Sequence, residues 1–485
     1  MLGSAFTQLR YAAGVLRGRI NPGLLDRISR DLVATLAEFG TLGEDSALLP
    51  GQQGTVDPEV WQAVATRSLR ATARAAYQTA YYRQLFESCG LRPAELSLQN
   101  WSDVPVTPKP ALRAMPAAFV CARANPVLMA TSTGTSGSPA IVWFSGDELE
   151  TVVALSTIAF AIADGLRPHH VVASAVSSRA VLPLLVVAQC TRRIGAALVQ
   201  LGTIEPCLAL ERLAAPLHLP GKAAQITRLN CAPSYLAALV AIAERDGWCP
   251  GDFGLESIQS GGEVLTDALR SRALETLGAP VRSSYLMTEI VPLGGTYCTQ
   301  GHLHYPAEFG HVELLDPLTL QPAAPGQVAT IVATPYARYR QCTVLLRYGT
   351  GDLVRVLEVE PTCELAGMPA SSDIIGRYTG PLSIAVPTRS ILELLEAERA
   401  VPLPARYSLV GDPDRAVLHV LVERCSPALL GRLEDRATRA ALPLADIVLH
   451  EDAAALPSPA PLRADLREHT FELTARPLTA DVARA

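Results

Sequence analysis

Hydroxyls and glycines crowd one stretch of this chain, TSTGTSGSPAIVWF from Thr131 to Phe144, and their spacing is the first sign of chemistry. Gly134 and Gly137 let the backbone turn sharply and approach a ligand, while Ser132, Thr133, Thr135 and Ser136 set hydroxyl donors beside backbone N–H groups. That combination suits phosphate oxygens. The run lacks the Gly-Lys-Ser/Thr ending of a Walker loop, and taken alone an ordinary loop is the plainer reading. Four more stretches follow in order: SGGEVLTDALRSRALETLG (Ser260 to Gly278), YLMTE (Tyr285 to Glu289), RYGTGDL (Arg347 to Leu353) and IIGR (Ile374 to Arg377). Read singly, Glu289 and Asp352 are solvated acids, Tyr285 is core packing, and Arg347 and Arg377 are salt-bridge residues.

As an ordered series, the five stretches resemble the core motifs of the adenylate-forming superfamily of acyl-CoA synthetases and adenylation domains. The segment YYRQLFESCGLRPAELSLQNWSDVPVTPKPALR, with Lys109 in its turn, resembles the N-terminal region of the phenylacetate-CoA ligase branch. The likeness runs from about residue 60 to residue 380. It implies that ATP and Mg²⁺ activate a small carboxylic acid, aromatic or amino-aromatic, as an acyl-adenylate that passes to a thiol. The thiol is coenzyme A or the phosphopantetheine arm of a carrier protein. In that reaction a carboxylate attacks the α-phosphate in line, so the protein supplies positioning and charge rather than a nucleophile.

The same resemblance implies roles. Ser132 to Gly137 would hold the β- and γ-phosphates, Tyr285 with Met287 beside it would pack on adenine, and Thr288 would donate to the α-phosphate. Glu289 would bind Mg²⁺, and Asp352 would accept from the ribose hydroxyls, with Arg347 and Arg377 as further nucleotide contacts. Gly261, Gly262 and Glu263 would flank nucleotide and acid, while Phe144, Ser260, Leu286 and Tyr235 of PSY would lie on the acid's side. Ser234 also reads as a plain helix cap.

Several positions depart from the pattern. The lysine that the family carries in its small C-terminal domain would fall in LPSPAPLR, where Arg463 stands instead, preceded by Leu462 rather than glycine. Arg463 keeps the charge but not the shape of an ammonium. Ser138 replaces a common lysine, Leu286 a glycine, and Thr379-Gly380 an acidic pair. Leu286 predicts a small or reshaped acid pocket. These changes leave two other readings open: transfer of the adenylate to a nitrogen or oxygen nucleophile, and a nucleotide- and acyl-binding homologue without turnover. Some phenylacetate-CoA-ligase-like proteins carry a structural zinc after the third motif, and Cys298, His302, His304 and Cys363 are the matching ligands here. Cys-x₃-His-x-His is not a usual finger spacing, and unliganded histidines with a free cysteine are the alternative.

The elements that must position these residues follow from periodicity. A helical segment spans about 57 to 90, and between about 140 and 335 β-rich runs alternate with amphipathic ones, which argues for an α/β fold of layered sheets and helices. A β-rich end follows at HVELLDP, GQVATIVATP and LLRYGTGDLVRVLEV. The expected division is a large adenylation domain over 1–375, helical to about 110, and a small divergent α+β domain over 376–485. The 485 residues are 49% hydrophobic with net charge −6 and no basic block, so nucleic acid and membrane are not the expected partners. Ten scattered cysteines and no signal-like N-terminus place the chain in the cytoplasm. Homodimerisation is common in the resembling family. Of 41 basic residues only two, Lys109 and Lys222, are lysines.

Overall fold

The computed structural model describes residues 14, 21–40, 58–132 and 139–457. Helix α1 (Pro22–Phe39) is capped by Asn21. The expected N-terminal helical segment forms two helices, α2 (Pro58–Ala76) and α3 (Ala80–Cys89), the second opened by the Thr79 hydroxyl and closed by Gly90 at φ 66°. A short strand β1 (Thr107–Pro108) leads directly into α4 (Lys109–Ala114). Strands β2 (Pro126–Thr131) and β3 (Ile141–Ser145) pair antiparallel around the hydroxyl-rich loop. Ser145 and Glu148 then form a reciprocal capping box for α5 (Gly146–Ile162).

A parallel α/β unit follows: β4 (Val171–Ala175), α6 (Val181–Ile194), β5 (Ala197–Gln200), α7 (Pro206–Ala214), β6 (Arg228–Cys231), α8 (Pro233–Asp246), β7 (Ser257–Gly261), α9 (Asp267–Leu277) and β8 (Val281–Ser284). The sheet order is β5-β4-β6-β7-β8, every pairing parallel. β4 is buried at all five positions because helices cover both faces. One face packs on α7, α8 and α9 through Leu210, Leu236, Leu239 and Leu269, and the other on α1, α5 and α6 through Leu36, Ala161 and Ile194. Strand order reverses at β4, so the carboxyl ends of β4 and β6 open a crevice of the kind that holds ligands in such sheets.

Short strands β9 (Thr296–Tyr297) and β10 (Leu303–His304) precede a second sheet of β11 (Gly310–Leu315), β12 (Val328–Pro335) and β13 (Tyr348–Arg355). β14 (Ala370–Ser371) pairs with β10, while β15 (Gly376–Arg377) pairs with β13. On the same edge of β13 as β15, opposite β12, lies β1, parallel, with Thr107 opposite Tyr348 and Pro108 opposite Gly349. The chain thus brings a segment from residue 107 beside residue 348. The core here gathers Tyr82, Phe86, Trp101 and Phe119 of the N-terminal region with Phe144, Tyr285 and Tyr348.

The last described elements are α10 (Pro381–Ala385), α11 (Thr388–Glu396), β16 (Tyr407–Val410), β17 (Ala416–Leu421), α12 (Pro427–Arg439) and β18 (Leu444–His450). They build a separate apolar cluster from Val386 to Ile447, including Leu395, Leu418 and Leu433. No helix among the described residues is long and apolar enough to cross a membrane.

Candidate active site

The motif residues lie where the parallel strands end. After β7 the backbone turns through Gly261 and Gly262. A Cβ on Gly261 would stand 2.9 Å from the Ser284 carbonyl oxygen, and Gly262 sits at φ +85°, so both positions require glycine. The turn delivers Glu263, whose Oε2 accepts from the Ser234 N–H at 2.9 Å at the start of α8. The GGE and PSY stretches therefore meet. Ser234 and Ser260 are fully buried, and neither hydroxyl has a partner among the described residues. Tyr235 belongs to the core instead: it is buried and its hydroxyl donates to the Ile204 carbonyl at 2.6 Å, so its expected place beside the acid is filled by packing.

Beyond β8 and along β13 a second group converges. The Tyr285 hydroxyl donates to Asp352 Oδ2 at 3.0 Å and lies 3.3 Å from the Met287 sulfur. Arg377 Nε donates to Asp352 Oδ1 at 3.0 Å, a pairing fixed by strand register. Burial, then the Asp352 charge, push the Tyr285 hydroxyl well above its ordinary value, so it remains a donor. Thr288 is half-buried, and its hydroxyl has no partner among the described residues. Next to it, Glu289 is 2% exposed and receives two groups on Oε1: the Lys109 ammonium at 3.0 Å and the Tyr348 hydroxyl at 3.3 Å. Burial, then Glu289, raise the Tyr348 hydroxyl as well. A buried carboxylate of this kind fits a hard cation, but a metal on Oε1 has to share it with Lys109 or displace it.

Other expected contacts resolve differently. Arg347 is not turned toward a nucleotide: Nε and Nη2 grip Glu313, each at 2.9 Å, and Nη1 donates to the Ser102 and Val104 carbonyls. Its backbone is left-handed at φ 42°, a strained setting for a side chain with a Cβ. Arg347 therefore clamps the segment that carries Lys109. Phe144 is fully buried with the Arg340 guanidinium 4.1 Å above its ring, so that face is covered by protein rather than by an acid. Leu286 stands 55% exposed, its Cδ2 against Gly294, and does not join Tyr285 and Met287 in the core. Ser132 closes the neck of the hydroxyl loop, its Oγ accepting from the Ala140 N–H at 2.9 Å. Thr133, Gly134, Thr135, Ser136, Gly137 and Ser138, and also Leu462 and Arg463, lie outside the described residues.

A separate cluster forms where β9, β10 and the chain before β14 meet. The ligand atoms of Cys298, His302, His304 and Cys363 all lie within 4.8 Å of one another, which completes a four-membered Cys₂His₂ set. Cys363 Sγ is 3.2 Å from His304 Nε2. Nδ1 of both His302 and His304 is buried without a partner among the described residues. Such a donor set, short of hydrogen bonds and closely spaced, fits a tetrahedral zinc ion.

Two of these residues are not singled out by the motifs. Lys109 was visible only as a landmark of the N-terminal turn, although the rarity of lysine was a signal, and Tyr348 sat unremarked inside RYGTGDL.

A doubly covered parallel sheet, a β-rich second sheet and a small α+β unit, with the motifs at the strand ends, define the adenylate-forming fold. Solved structures share it: 2-hydroxyisobutyryl-CoA ligase in its postadenylation state aligns over 87% of this chain and 94% of its own, at 19% identity and a TM-score of 0.68. The same ligase in its thioesterification state aligns over 90% and 98% with a TM-score of 0.57. Anthranilate CoA ligase in complex with anthranoyl-AMP aligns over 72% and 68% at 15% identity, with a TM-score of 0.50. No family model and no curated protein matches the sequence.

Proposed function

We propose that the protein activates a small carboxylic acid with ATP, as an acyl-adenylate, and transfers the acyl group to a thiol. The observation that carries this reading is the convergence of Glu289, Asp352, Tyr285 and Arg377, with Thr288 next to Glu289 in the chain, in an adenylate-forming fold. Asp352 and Tyr285 serve the ribose and base, Thr288 the α-phosphate, and Glu289 a magnesium ion that would neutralise the leaving phosphates. The protein's own groups hold the acid's carboxylate in line with the α-phosphorus and keep water away.

The neighbouring ligases named above act on a hydroxy acid and on an amino-aromatic acid, and both kinds fit the reading. Ser234 and Ser260, buried hydroxyls without partners among the described residues, favour an acid that carries a hydroxyl or amino group. Coenzyme A is the acceptor supported by these neighbours, and a carrier-protein arm presents the same thiol. The division into residues 1–375 and 376–485 and a zinc ion on Cys298, His302, His304 and Cys363 complete the assignment.

The test is ATP–pyrophosphate exchange with a panel of aromatic, amino-aromatic and hydroxy-aliphatic small acids. Exchange that depends on one acid class is the expected outcome. A folded protein that binds ATP yet catalyses no exchange with any acid overturns the reading in favour of a binding role.

A further inference from the structure

Lys109 is placed with more care than a surface lysine needs. The strand just before it, β1, is paired in parallel to β13, and the Thr107 hydroxyl donates to the Leu346 carbonyl at 2.7 Å and lies 2.8 Å from the Tyr82 hydroxyl. The Thr107 N–H donates to the Arg347 carbonyl, and the strained Arg347 grips the Ser102 and Val104 carbonyls just upstream. These contacts aim a side chain that is 13% exposed at Glu289, the carboxylate next to Thr288. The other lysine cannot serve: Lys222 Nζ bridges the Pro168 and Gly195 carbonyls, each at 2.6 Å, at the opposite, amino end of the parallel sheet. No lysine follows it in the chain.

We propose, on the basis of the acid-activating reading above, that Lys109 supplies the ammonium that acts on the reacting phosphate. In the free protein Lys109 neutralises the buried Glu289. When the nucleotide enters, phosphate oxygens compete for the ammonium, which would leave the Glu289 carboxylate free to hold a magnesium ion. During the step the acid's carboxylate oxygen bonds to the α-phosphorus while the bond from that phosphorus to the pyrophosphate oxygen breaks. Pyrophosphate leaves with the electron pair, and no proton moves. Negative charge gathers on the oxygens between Thr288 and Glu289, where a compact cation held in advance stabilises the transition state more than the ground state. The N-terminal part of the chain thus contributes the cation that the small C-terminal unit lacks as a lysine.

The experiment compares wild type, Lys109→Gln, Lys109→Arg and Lys222→Gln in exchange with an acid that wild type activates. Binding of magnesium-ATP without acid is measured by calorimetry in parallel. The expected result is a loss of about 100-fold or more in kcat for Lys109→Gln, with the acid's KM and the ATP Kd within about 3-fold of wild type. Lys109→Arg regains part of the rate, showing that the fold is intact and that charge is what was lost, and Lys222→Gln keeps the wild-type rate. Exchange by Lys109→Gln within about 5-fold of wild type overturns the proposal, and so does a loss of ATP affinity that accounts for the whole loss of rate. Absence of exchange in wild type is a different result, because it removes the acid-activating reading itself.

Discussion

Asp352 holds two partners at once, Arg377 on Oδ1 and Tyr285 on Oδ2, through the atoms that a pair of ribose hydroxyls would approach. Asp352→Asn keeps the side chain's size and removes its charge. A hydrogen bond to a charged group contributes about 1.5–3 kcal/mol, so ATP Kd is expected to rise by roughly 10-fold or more. Calorimetric titration measures it, and an unchanged Kd detaches Asp352 from the nucleotide. Residues such as Glu263, Glu289 and Asp352 were legible in the sequence because each sits in a short motif whose local turn does the positioning. Arg347 was not, since its partners Glu313, Ser102 and Val104 are up to 245 positions away and only the folded sheet brings them together. Phe144 and Tyr235, expected beside the acid, lie in the core for the same reason. An aromatic side chain serves a pocket or a core equally well until its neighbours are known, and here Arg340 and Ile204 occupy those places.

The longer elements follow from sequence pattern: β4 is a short run of small and branched residues buried throughout, α5 opens with a capping box, and α9 ends at Gly278 in the left-handed conformation. Of the five two-residue strands among the described residues, β1, β9, β10 and β14 carry no such signal. β1 even contains a proline, tolerated because it lies at the edge of its sheet. Strands so short are organised by what they connect. For β9, β10 and β14 the connector is the Cys298, His302, His304 and Cys363 cluster. Purified protein is expected to contain about one zinc per chain, by elemental analysis, as a closed four-ligand site holds a single ion. Chelation should lower the melting temperature, and Cys363→Ser should lower both metal content and melting temperature. Metal-free protein with an unaltered melting temperature would show that the cluster stands without an ion.

Across the whole molecule, the small unit is tied to the parallel sheet through α11 and α9. Glu393 accepts from the Asp267 and Ala268 N–H groups at 2.7 and 3.0 Å, so a carboxylate from one unit caps a helix of the other. Beside it Glu396 accepts from the Thr266 hydroxyl, and Arg272 reaches both Glu244 and the Glu396 carbonyl. Glu393→Ala removes a cap worth about 1 kcal/mol, so amide exchange at Asp267 and Ala268 should accelerate roughly 5–10-fold. Unchanged exchange there would mean that the units are held by the other contacts alone. The scarcity of lysine has its own consequence at this scale. An acyl-adenylate acylates free amines, and this chain offers it two side-chain amines, one bridging the Pro168 and Gly195 carbonyls and the other paired with Glu289. If the proposed acid activation holds, its reactive product would meet guanidinium groups that do not capture it, and an acyl mark on Lys109 would be the record of an intermediate that stayed too long.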